Sequence, residues 1–467
     1  MTKSWQSLAI VLGLTLSSSM VSANSQHKFQ ETKRSRYATV KFTDYKSGML
    51  KLQELEVDVA GVDIKNKLAD IFVTTEQLNK LQDLKFNIVS EKSEKDFKAV
   101  DEEYKSPSEI ETILKSWEKS HPEIAKLHVI GQSSEGRNIY ALKISDNVSV
   151  RETEESALLF NSMHHAREVM SPEVSLDIIE TLLSKYSSDL KIQNYVDSNE
   201  IWVVPMLNVD GNAKVWNGDN MWRKNTNYGH GVDINRNYPY LWSSCKGSSG
   251  WTWSSTYRGP EAGSEPETKA LMNLVKNIRP VFDISYHAYS EIVIYPMGCK
   301  GKRTHTKEVV EGIGKEIGSL VNYGPGTAWE LLYSVDGSDI DWMYNAYQVI
   351  PYVLEVNSRS QGFQPSYSQW RDKTVKRNRP AWMHLLDKMG GSGVRGILDE
   401  TFPTPENYQI AVKKADGTTL QNYKVNPDGT YHIILNEGSY EFILQKGRDQ
   451  ISTKSLILEG VRKNLQF

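Results

Sequence analysis

The run Met163-His164-His165-Ala166-Arg167-Glu168 contains side chains of the types that bind zinc. His165 lies three residues before Glu168, so a helical turn leading into the following amphipathic stretch would place both side chains on one face. An imidazole and a carboxylate suit Zn2+, and a third protein ligand would leave one coordination position open. The same spacing is common in surface turns, so the run alone leaves both a metal site and a surface turn open.

A third ligand must come from elsewhere in the chain, and His287 is the best placed of the ten histidines. It directly follows residues 281–285, an apolar run that has the pattern of a strand. His164 has Arg167 rather than an acid three residues on, and the other histidines lie outside the central region, in an early helix-strand unit, in a late helix, or in polar stretches with no strand just before them. Taken alone, a histidine in this position is more often an ordinary hydrogen-bonded residue than a metal ligand.

The elements that must position these residues alternate between helices and apolar strands from about residue 104 to residue 386. The strand-like runs are residues 157–160, 201–204, 281–285 and 352–354. Near-continuous apolar strands between helices predict an α/β fold with a central sheet covered on both faces. Ligands in such folds bind beyond the carboxyl ends of the strands, which is where the polar residues fall.

Two smaller domains are predicted beside a central domain of residues 104–388. Residues 24–100 mix strands with a helix, which predicts a small α+β segment that ends in the charged, linker-like run 91–96. After a glycine-rich linker at residues 390–393, short alternating runs with turn residues predict an all-β sandwich over residues 394–467.

Residues 1–23 have the three-part layout of a signal peptide: Lys3, an apolar run, and a small-residue site ending at Ala23. The apolar run is shorter than the about 20 residues that cross a bilayer, which disfavours a membrane anchor. We therefore expect a secreted or periplasmic protein without a membrane span. In that setting Cys245 and Cys299 predict a disulfide, with two unrelated thiols as the alternative.

The formal net charge of -3 provides no basic field that would attract nucleic acid, and no nucleic-acid partner is expected.

Several motifs together resemble the zinc metallocarboxypeptidases of the carboxypeptidase A/B type, over about 280 residues of the central domain. The family's H-x-R-E motif appears at residues 165–168, and its second-ligand motif appears at residues 285–290. The other matches are Trp222-Arg223-Lys224, the V-D-x-N-R-N pattern at residues 232–237, Tyr333 eight residues before Asp341, and Glu355 of a late strand. Val169 departs from the family, which usually has tryptophan there, and the cysteine positions do not match the pancreatic pattern.

The resemblance implies a mixed sheet flanked by helices, one Zn2+ per chain, and a role for each matching residue. The implied zinc ligands are His165, Glu168 and His287, with Asp233 as the acceptor that orients His165. The implied catalytic residues are Glu355 as general base and Arg223 as oxyanion stabiliser. The implied substrate-binding residues are Asn235 and Arg236 for a C-terminal carboxylate, Tyr333 closing over it, Arg167 and Tyr289 at the next subsite, and Ile340 in the pocket floor.

By this resemblance the protein is a monomeric exopeptidase that acts on peptides and proteins with a free C-terminus. Ile340 predicts a preference for apolar or aromatic C-terminal residues, while its neighbour Asp339 resembles the broad bacterial carboxypeptidase T and leaves Lys/Arg tolerance open. Residues 24–100 resemble a pro-segment that covers the cleft of a zymogen until cleaved, and residues 394–467 resemble a transthyretin-like module.

Two other hypotheses remain at this point. One is a zinc amidase of the same fold that acts on cell-wall peptides or N-acyl amino acids, and the other is a binding protein that has lost catalysis. Asn235, Arg236 and Tyr333 favour a substrate with a free carboxylate, and the presence of Glu355 and Arg223 disfavours a loss of catalysis.

Overall fold

The structure is a computed structural model that describes residues 36–93 and 96–467. The predicted signal peptide and the first residues of the predicted pro-segment lie outside the described residues. The helices, numbered in chain order, are α1 Tyr45–Glu54, α2 Thr75–Asp83, α3 Pro107–Ser120, α4 Met170–Lys185, α5 Leu190–Val196, α6 Val209–Trp216, α7 Pro266–Ile278, α8 Lys307–Val321, α9 Ala328–Leu331, α10 Asp339–Tyr347 and α11 Tyr367–Met389.

The strands fall into four sheets. In chain order they are β1 Arg36–Lys41, β2 Asp58–Asp63, β3 Leu68–Val73, β4 Asn87–Lys92, β5 Ala125–Gln132, β6 Asn138–Ile144, β7 Ser156–Ser162, β8 Asn199–Val204, β9 Phe282–Ala288, β10 Ile292–Tyr295, β11 Gly324–Thr327, β12 Ile350–Val356, β13 Gly393–Ile397, β14 Tyr408–Lys414, β15 Thr419–Lys424, β16 Thr430–Ile434, β17 Gly438–Lys446, β18 Asp449–Leu458 and β19 Arg462–Asn464.

The central sheet has eight strands in the order β11-β10-β12-β9-β7-β8-β6-β5. Strands β12, β9, β7 and β8 run parallel at its centre, and β5, β6 and β10 pair antiparallel toward the edges. Every residue of β7, β8 and β9 is buried, as the continuous apolar runs predicted. The mixed sheet flanked by helices confirms the predicted fold class.

The N-terminal domain is an antiparallel sheet in the order β2-β3-β1-β4 that packs with α1 and α2 around its own apolar core. Residues 37–42, 70–74 and 86–89 have the sequence pattern of strands and residues 76–81 that of a helix start capped by Thr74 or Thr75, and the structure has β1, β3, β4 and α2 there. Thr74 caps α2 through a capping box with Gln77, the chemistry expected at that position. The structure adds α1 and β2, neither of which was predicted from the sequence. The sequence of β2, DVAGVD, contains a glycine and has charged ends, which weakens the usual strand pattern.

The C-terminal module has two sheets, β16-β13-β19 and β15-β14-β17-β18, that share one apolar core, in agreement with the predicted sandwich. Its contacts reach residues at the amino ends of the parallel strands of the central sheet. His432 Nδ1 lies 2.5 Å from the hydroxyl of Ser156, the first residue of β7. The backbone N–H of Lys424 donates to Gln348, which lies just before β12.

Cys245 and Cys299 form the predicted disulfide, with their Cα atoms 5.9 Å apart. Within the two described ranges, no helix combines the length and the apolar character needed to cross a bilayer.

Candidate metal centre and active site

The turn after β7 positions the first two candidate zinc ligands. Met163 adopts a left-handed backbone conformation with φ of 64°, and the N–H of Ala166 donates to the carbonyl of Arg223 at 2.9 Å. Helix α4 begins only at Met170. His165 and Glu168 therefore project from one turn that precedes the helix, closed by the N–H of Glu168 donating to the carbonyl of His165 at 3.2 Å and braced by tertiary hydrogen bonds.

His287 joins these two residues from the end of β9. The two imidazole Nδ1 atoms lie 3.2 Å apart, and Glu168 places one carboxylate oxygen 2.7 Å from Nδ1 of His165 and the other 3.0 Å from Nδ1 of His287. Two nitrogens bound to one tetrahedral zinc are separated by roughly 3.3 Å, given Zn–N distances of about 2.0–2.1 Å. All three residues are buried, and their ligand atoms fit one zinc ion.

The electrostatics of this cluster suit a cation. Burial opposes the ionisation of Glu168, but His165 and His287 outweigh it and hold the pKa of that carboxyl well below its usual range. Among the described residues, one other cluster has potential ligand atoms close enough together to hold a metal, and it consists of Asp146, Glu152 and Glu155. It contains no histidine and lies outside the cleft.

Behind His165, Asp233 connects the metal cluster to Arg223. Asp233 Oδ1 lies 3.3 Å from Nε2 of His165, and its Oδ2 accepts from Nε and an NH2 group of Arg223 at 3.2 and 2.8 Å. Burial disfavours a charge on Asp233, but Arg223, Arg236 and His165 together hold its pKa well below the usual range. An ionised carboxylate in this position orients the imidazole and raises its basicity.

Glu355 reaches the cleft because β12 pairs in parallel with β9. The register places Glu355 directly beside His287, although 68 residues separate them in the chain. Burial and the nearby Glu168 raise the pKa of Glu355 to about 8, against the opposing effect of His287 and Arg223. A bound dication would lower that pKa, since the added positive charge favours the carboxylate.

Arg236 is held by two backbone carbonyls. Its Nε donates to Gly247 at 3.1 Å and one NH group donates to Asn235 at 2.7 Å. Its remaining NH2 group lies 3.4 Å from the hydroxyl of Tyr333. Asn235 is fixed in turn, because its side-chain oxygen accepts from the N–H of Asp339 at 3.0 Å. The guanidinium and Tyr333 therefore meet in the cleft beside the metal cluster.

One pocket brings most of the predicted residues together. It is lined by His165, Glu168, Arg223, Asn235, Arg236, His287, Tyr289, Tyr333, Ile340 and Glu355, together with Val59, Ala60 and Gly61 of the N-terminal domain. The free volume that remains between these groups is about 70 Å³. Asp233 lies behind this lining.

Arg167 and Tyr289 are engaged by the N-terminal domain. Arg167 lies between the rings of Phe72 and Phe363 and pairs with Asp58 at 3.2 Å. The hydroxyl of Tyr289 lies 2.9 Å from that of Tyr37 and also donates to Asp70. The structure thus places both residues at the surface that the N-terminal domain covers.

Several groups at the pocket were not predicted from the sequence. The apolar wall also includes Ile294, Leu332 and Val353. Below this wall, the N–H of Gly298 donates to both carboxylate oxygens of Asp341, at 2.9 and 3.0 Å. Burial raises the pKa of Asp341 to about 7. Asp341 had served only as a landmark for Ile340. Its fully buried position next to a glycine amide was not readable from the sequence.

The catalytic domain is similar in sequence to known zinc carboxypeptidases. The family model described as zinc carboxypeptidase matches residues 110–379. Carboxypeptidase B of Rattus norvegicus is 31% identical over 269 residues, which cover 54% of this chain and 63% of that protein. The zinc carboxypeptidase of Saccharothrix mutabilis subsp. capreolus is 32% identical over 282 residues, covering 56% of this chain and 64% of that protein. The chain thus spans a little under two thirds of the length of these curated relatives.

Solved structures show the same fold. Carboxypeptidase A from Helicoverpa armigera superposes with a TM-score of 0.63 at 21% identity, over 76% of this chain and 96% of that chain. Bovine thrombin-activatable fibrinolysis inhibitor superposes with a TM-score of 0.55 at 26% identity, over 61% of this chain and 97% of that chain. With a family match that covers more than half of its residues, this chain belongs to the zinc carboxypeptidase family, whose members hold one Zn2+ per chain.

Proposed function

We propose that this protein is a zinc-dependent exopeptidase that hydrolyses the C-terminal peptide bond of peptides and proteins. The observation that carries the proposal is the meeting, in one pocket, of the metal cluster, Glu355 and the pair Arg236–Tyr333. The metal cluster and Glu355 supply hydrolysis, and the guanidinium beside a phenol supplies recognition of a free carboxylate.

His165, Glu168 and His287 would hold the zinc. Zinc held there would lower the pKa of a bound water molecule and polarise the scissile carbonyl. The 3.2 Å approach of the two imidazole nitrogens and the orienting carboxylate of Asp233 support this ligand set.

Glu355 would accept a proton from the attacking water and deliver it to the leaving amine. Its position beside His287 in the sheet supports this role, because a general base must lie within hydrogen-bonding reach of the water. Arg223 would stabilise the negative charge that develops on the carbonyl oxygen. It is held in place by its paired hydrogen bonds to Asp233, so little reorganisation is needed during the reaction.

Arg236 would bind the terminal carboxylate, with Asn235 and Tyr333 beside it. Because two of its nitrogens already donate to backbone carbonyls, the guanidinium is oriented before substrate arrives. The side chain of the terminal residue would enter the pocket between Ile340 and the apolar wall. That wall supports a preference for apolar and aromatic residues.

The N-terminal domain would act as the pro-segment of a zymogen, and the protein would be exported. Val59, Ala60 and Gly61 of β2 line the same pocket as the metal cluster, which supports a blocking role. Export is supported by the sequence layout of residues 1–23 and by the disulfide.

The test compares wild type with Glu355→Gln after removal of the N-terminal domain, on one peptide with a free and with an amidated C-terminus. We expect wild type to release the terminal residue from the free form alone. The variant should be slower by about 10²–10⁴-fold in kcat/KM, the range of general-base catalysis. Zinc content measured on both proteins controls for loss of the metal.

The same assay separates the other hypotheses. Equal cleavage of free and amidated forms would favour an amidase, and no cleavage by zinc-loaded protein would favour a binding protein. Peptides ending in phenylalanine and in arginine test the pocket. Much faster release of arginine would contradict the apolar preference.

A further inference from the structure

A cavity of about 540 Å³ lies where the C-terminal module meets the catalytic domain, and none of its lining residues lines the pocket of the metal cluster. The module lines it with Arg395, Arg462 and Asn464, and the catalytic domain lines it with residues such as Ser156, Asn199 and Lys191. None of these residues takes part in the proposed peptidase chemistry.

The strand register of the module places both arginines on one face. Strand β13 lies between β16 and β19, with Arg395 opposite His432 on one side and opposite Asn464 on the other. Arg462 lies two residues before Asn464 in β19, so alternation of side chains places it on the same face. The sheet thus directs two guanidinium groups toward the catalytic domain.

Neither guanidinium has an acidic partner among the residues that the structure describes. Within residues 36–93 and 96–467, no carboxylate lies within 4.0 Å of Arg395 or Arg462, whereas nearby Arg151 pairs with both Glu200 and Asp428. Arg395 donates to the carbonyl of Glu154 and to the side-chain oxygen of Asn464, both at 3.1 Å.

Arg462 is less well satisfied than Arg395. Among the described residues its side chain makes one hydrogen bond, 3.5 Å long, to the carbonyl of Lys388, and its Nε is buried without a partner there. A buried cationic donor without a partner is costly, and an anion in the cavity would remove that cost.

The local field is positive. Burial and the neighbouring Arg395 lower the pKa of Arg462 to about 10. Burial, together with Arg462, Arg151 and Arg395, lowers the pKa of His432 to about 3. At the outer end, Lys191 pairs with Asp387 at 2.9 Å, and their side chains are 57% and 47% exposed. The cavity therefore reaches solvent, and its inner end is cationic.

We propose that this cavity binds an oxyanion of the phosphate or sulfate type, held by the guanidinium groups of Arg395 and Arg462. Guanidinium groups bind such anions through paired, charge-assisted hydrogen bonds. An anion bound here contacts both domains, so it stabilises their junction. The site is independent of the proposed peptidase function, and its volume also admits a phosphate monoester.

The experiment is thermal unfolding of the full chain in a series of inorganic phosphate concentrations, with ionic strength held constant by chloride. At concentrations well above its Kd, a ligand that binds only the folded state raises the melting temperature in proportion to the logarithm of the ligand concentration. We expect a rise of roughly 2 °C or more at saturating phosphate. A parallel series with glycerol 3-phosphate distinguishes the free ion from an esterified one.

The rise should be lost in Arg395→Gln and in Arg462→Gln and retained in Arg448→Gln, an exposed arginine of the same module. An equal rise in all three variants, or no difference between phosphate and chloride for wild type, would overturn the proposal. If Arg462→Gln fails to fold, calorimetric titration of the wild-type protein with phosphate provides a second test. Absence of binding heat, together with an unchanged melting temperature, would contradict the proposed site.

Discussion

The two small domains contact opposite ends of the parallel strands in the central sheet, and their contacts differ in kind. The N-terminal domain touches residues that follow β9 and β12, among them Tyr289, Ser290 and Arg359. The C-terminal module touches residues at or before the starts of β7 and β12. Because ligands bind at the carboxyl ends of such strands, only the N-terminal domain obstructs the metal cluster.

The N-terminal contact depends on a close backbone approach. A Cβ atom added at Gly61 would lie 2.2 Å from the ring of Tyr289, so a larger residue there would displace β2 from the cleft. The neighbouring N–H of Val62 donates to Ser290 at 2.9 Å. This contact lies in the pocket of the metal cluster, whereas the contacts of the C-terminal module include partly exposed ion pairs outside that pocket. The difference supports the proposed pro-segment role for the N-terminal domain and gives no such support for the C-terminal module.

The largest expected effect comes from separating the N-terminal domain from the rest. Cleavage within the charged run 91–96 followed by dissociation of the domain should raise kcat/KM by at least ~100-fold, because β2 no longer fills the cleft. The measurement is hydrolysis of a free C-terminal peptide before and after limited proteolysis. Equal activity of the intact and the cleaved protein would contradict the blocking role.

Asp58→Ala should raise the activity of the intact chain. Asp58 is the partner of the buried Arg167, and loss of one member of such a pair weakens the contact by about 2 kcal/mol, or roughly 30-fold in the open population. Glu76→Ala is the matched control, since the exposed Glu76 forms its salt bridge inside α2, with Lys80. If both variants show the same activity, the Asp58–Arg167 pair does not hold the domain closed.

A smaller effect is expected from Glu155, which lies just before β7 and should make the stability of the protein depend on pH. Burial and the nearby Glu152 raise the pKa of Glu155 from 4.5 to about 7. The folded protein therefore keeps a proton that the unfolded chain releases, so this contribution to stability is complete below about pH 4.5 and is lost as the pH rises to about 7.

Glu155→Gln removes this titration. We expect the variant to gain about 1–2 kcal/mol of stability relative to wild type between those two pH values. Urea unfolding at several pH values measures it, with the exposed Glu154→Gln as the control. A constant difference across the pH range would show that Glu155 titrates normally.

The smallest effect is expected at the ion pairs between module and catalytic domain. Arg151 is 29% exposed and pairs with Glu200 and Asp428, but Lys143 still pairs with Glu200 at 2.9 Å when Arg151 is replaced. Arg151→Ala should therefore cost about 0.5–1 kcal/mol and leave kcat/KM unchanged. Thermal unfolding and peptide hydrolysis check both. A change in kcat/KM would show that contacts at the amino ends of the strands influence the active site at the carboxyl ends.

Much of the candidate site could be predicted from local sequence. Three features are local: the spacing of His165 and Glu168, the motifs that contain arginine, and the strand before His287. Each spans only a few residues, so residue type and order carry the information. The N-terminal domain was predicted less completely, because α1 and β2 lack strong patterns and gain their stability from packing.

The sequence by itself determined the ligand types, the family resemblance, the alternation of helices with buried strands, and the all-β character of the C-terminal module. Tertiary structure alone decided which strand ends meet. Glu355 stands beside His287 only because β12 pairs with β9, and Gly61 faces Tyr289 only because β2 enters the cleft. Arg395 and Arg462 share a cavity only because β13 pairs with β19. Strand order and domain docking join residues far apart in the chain, and they are set by the burial of whole surfaces, which no local spacing records.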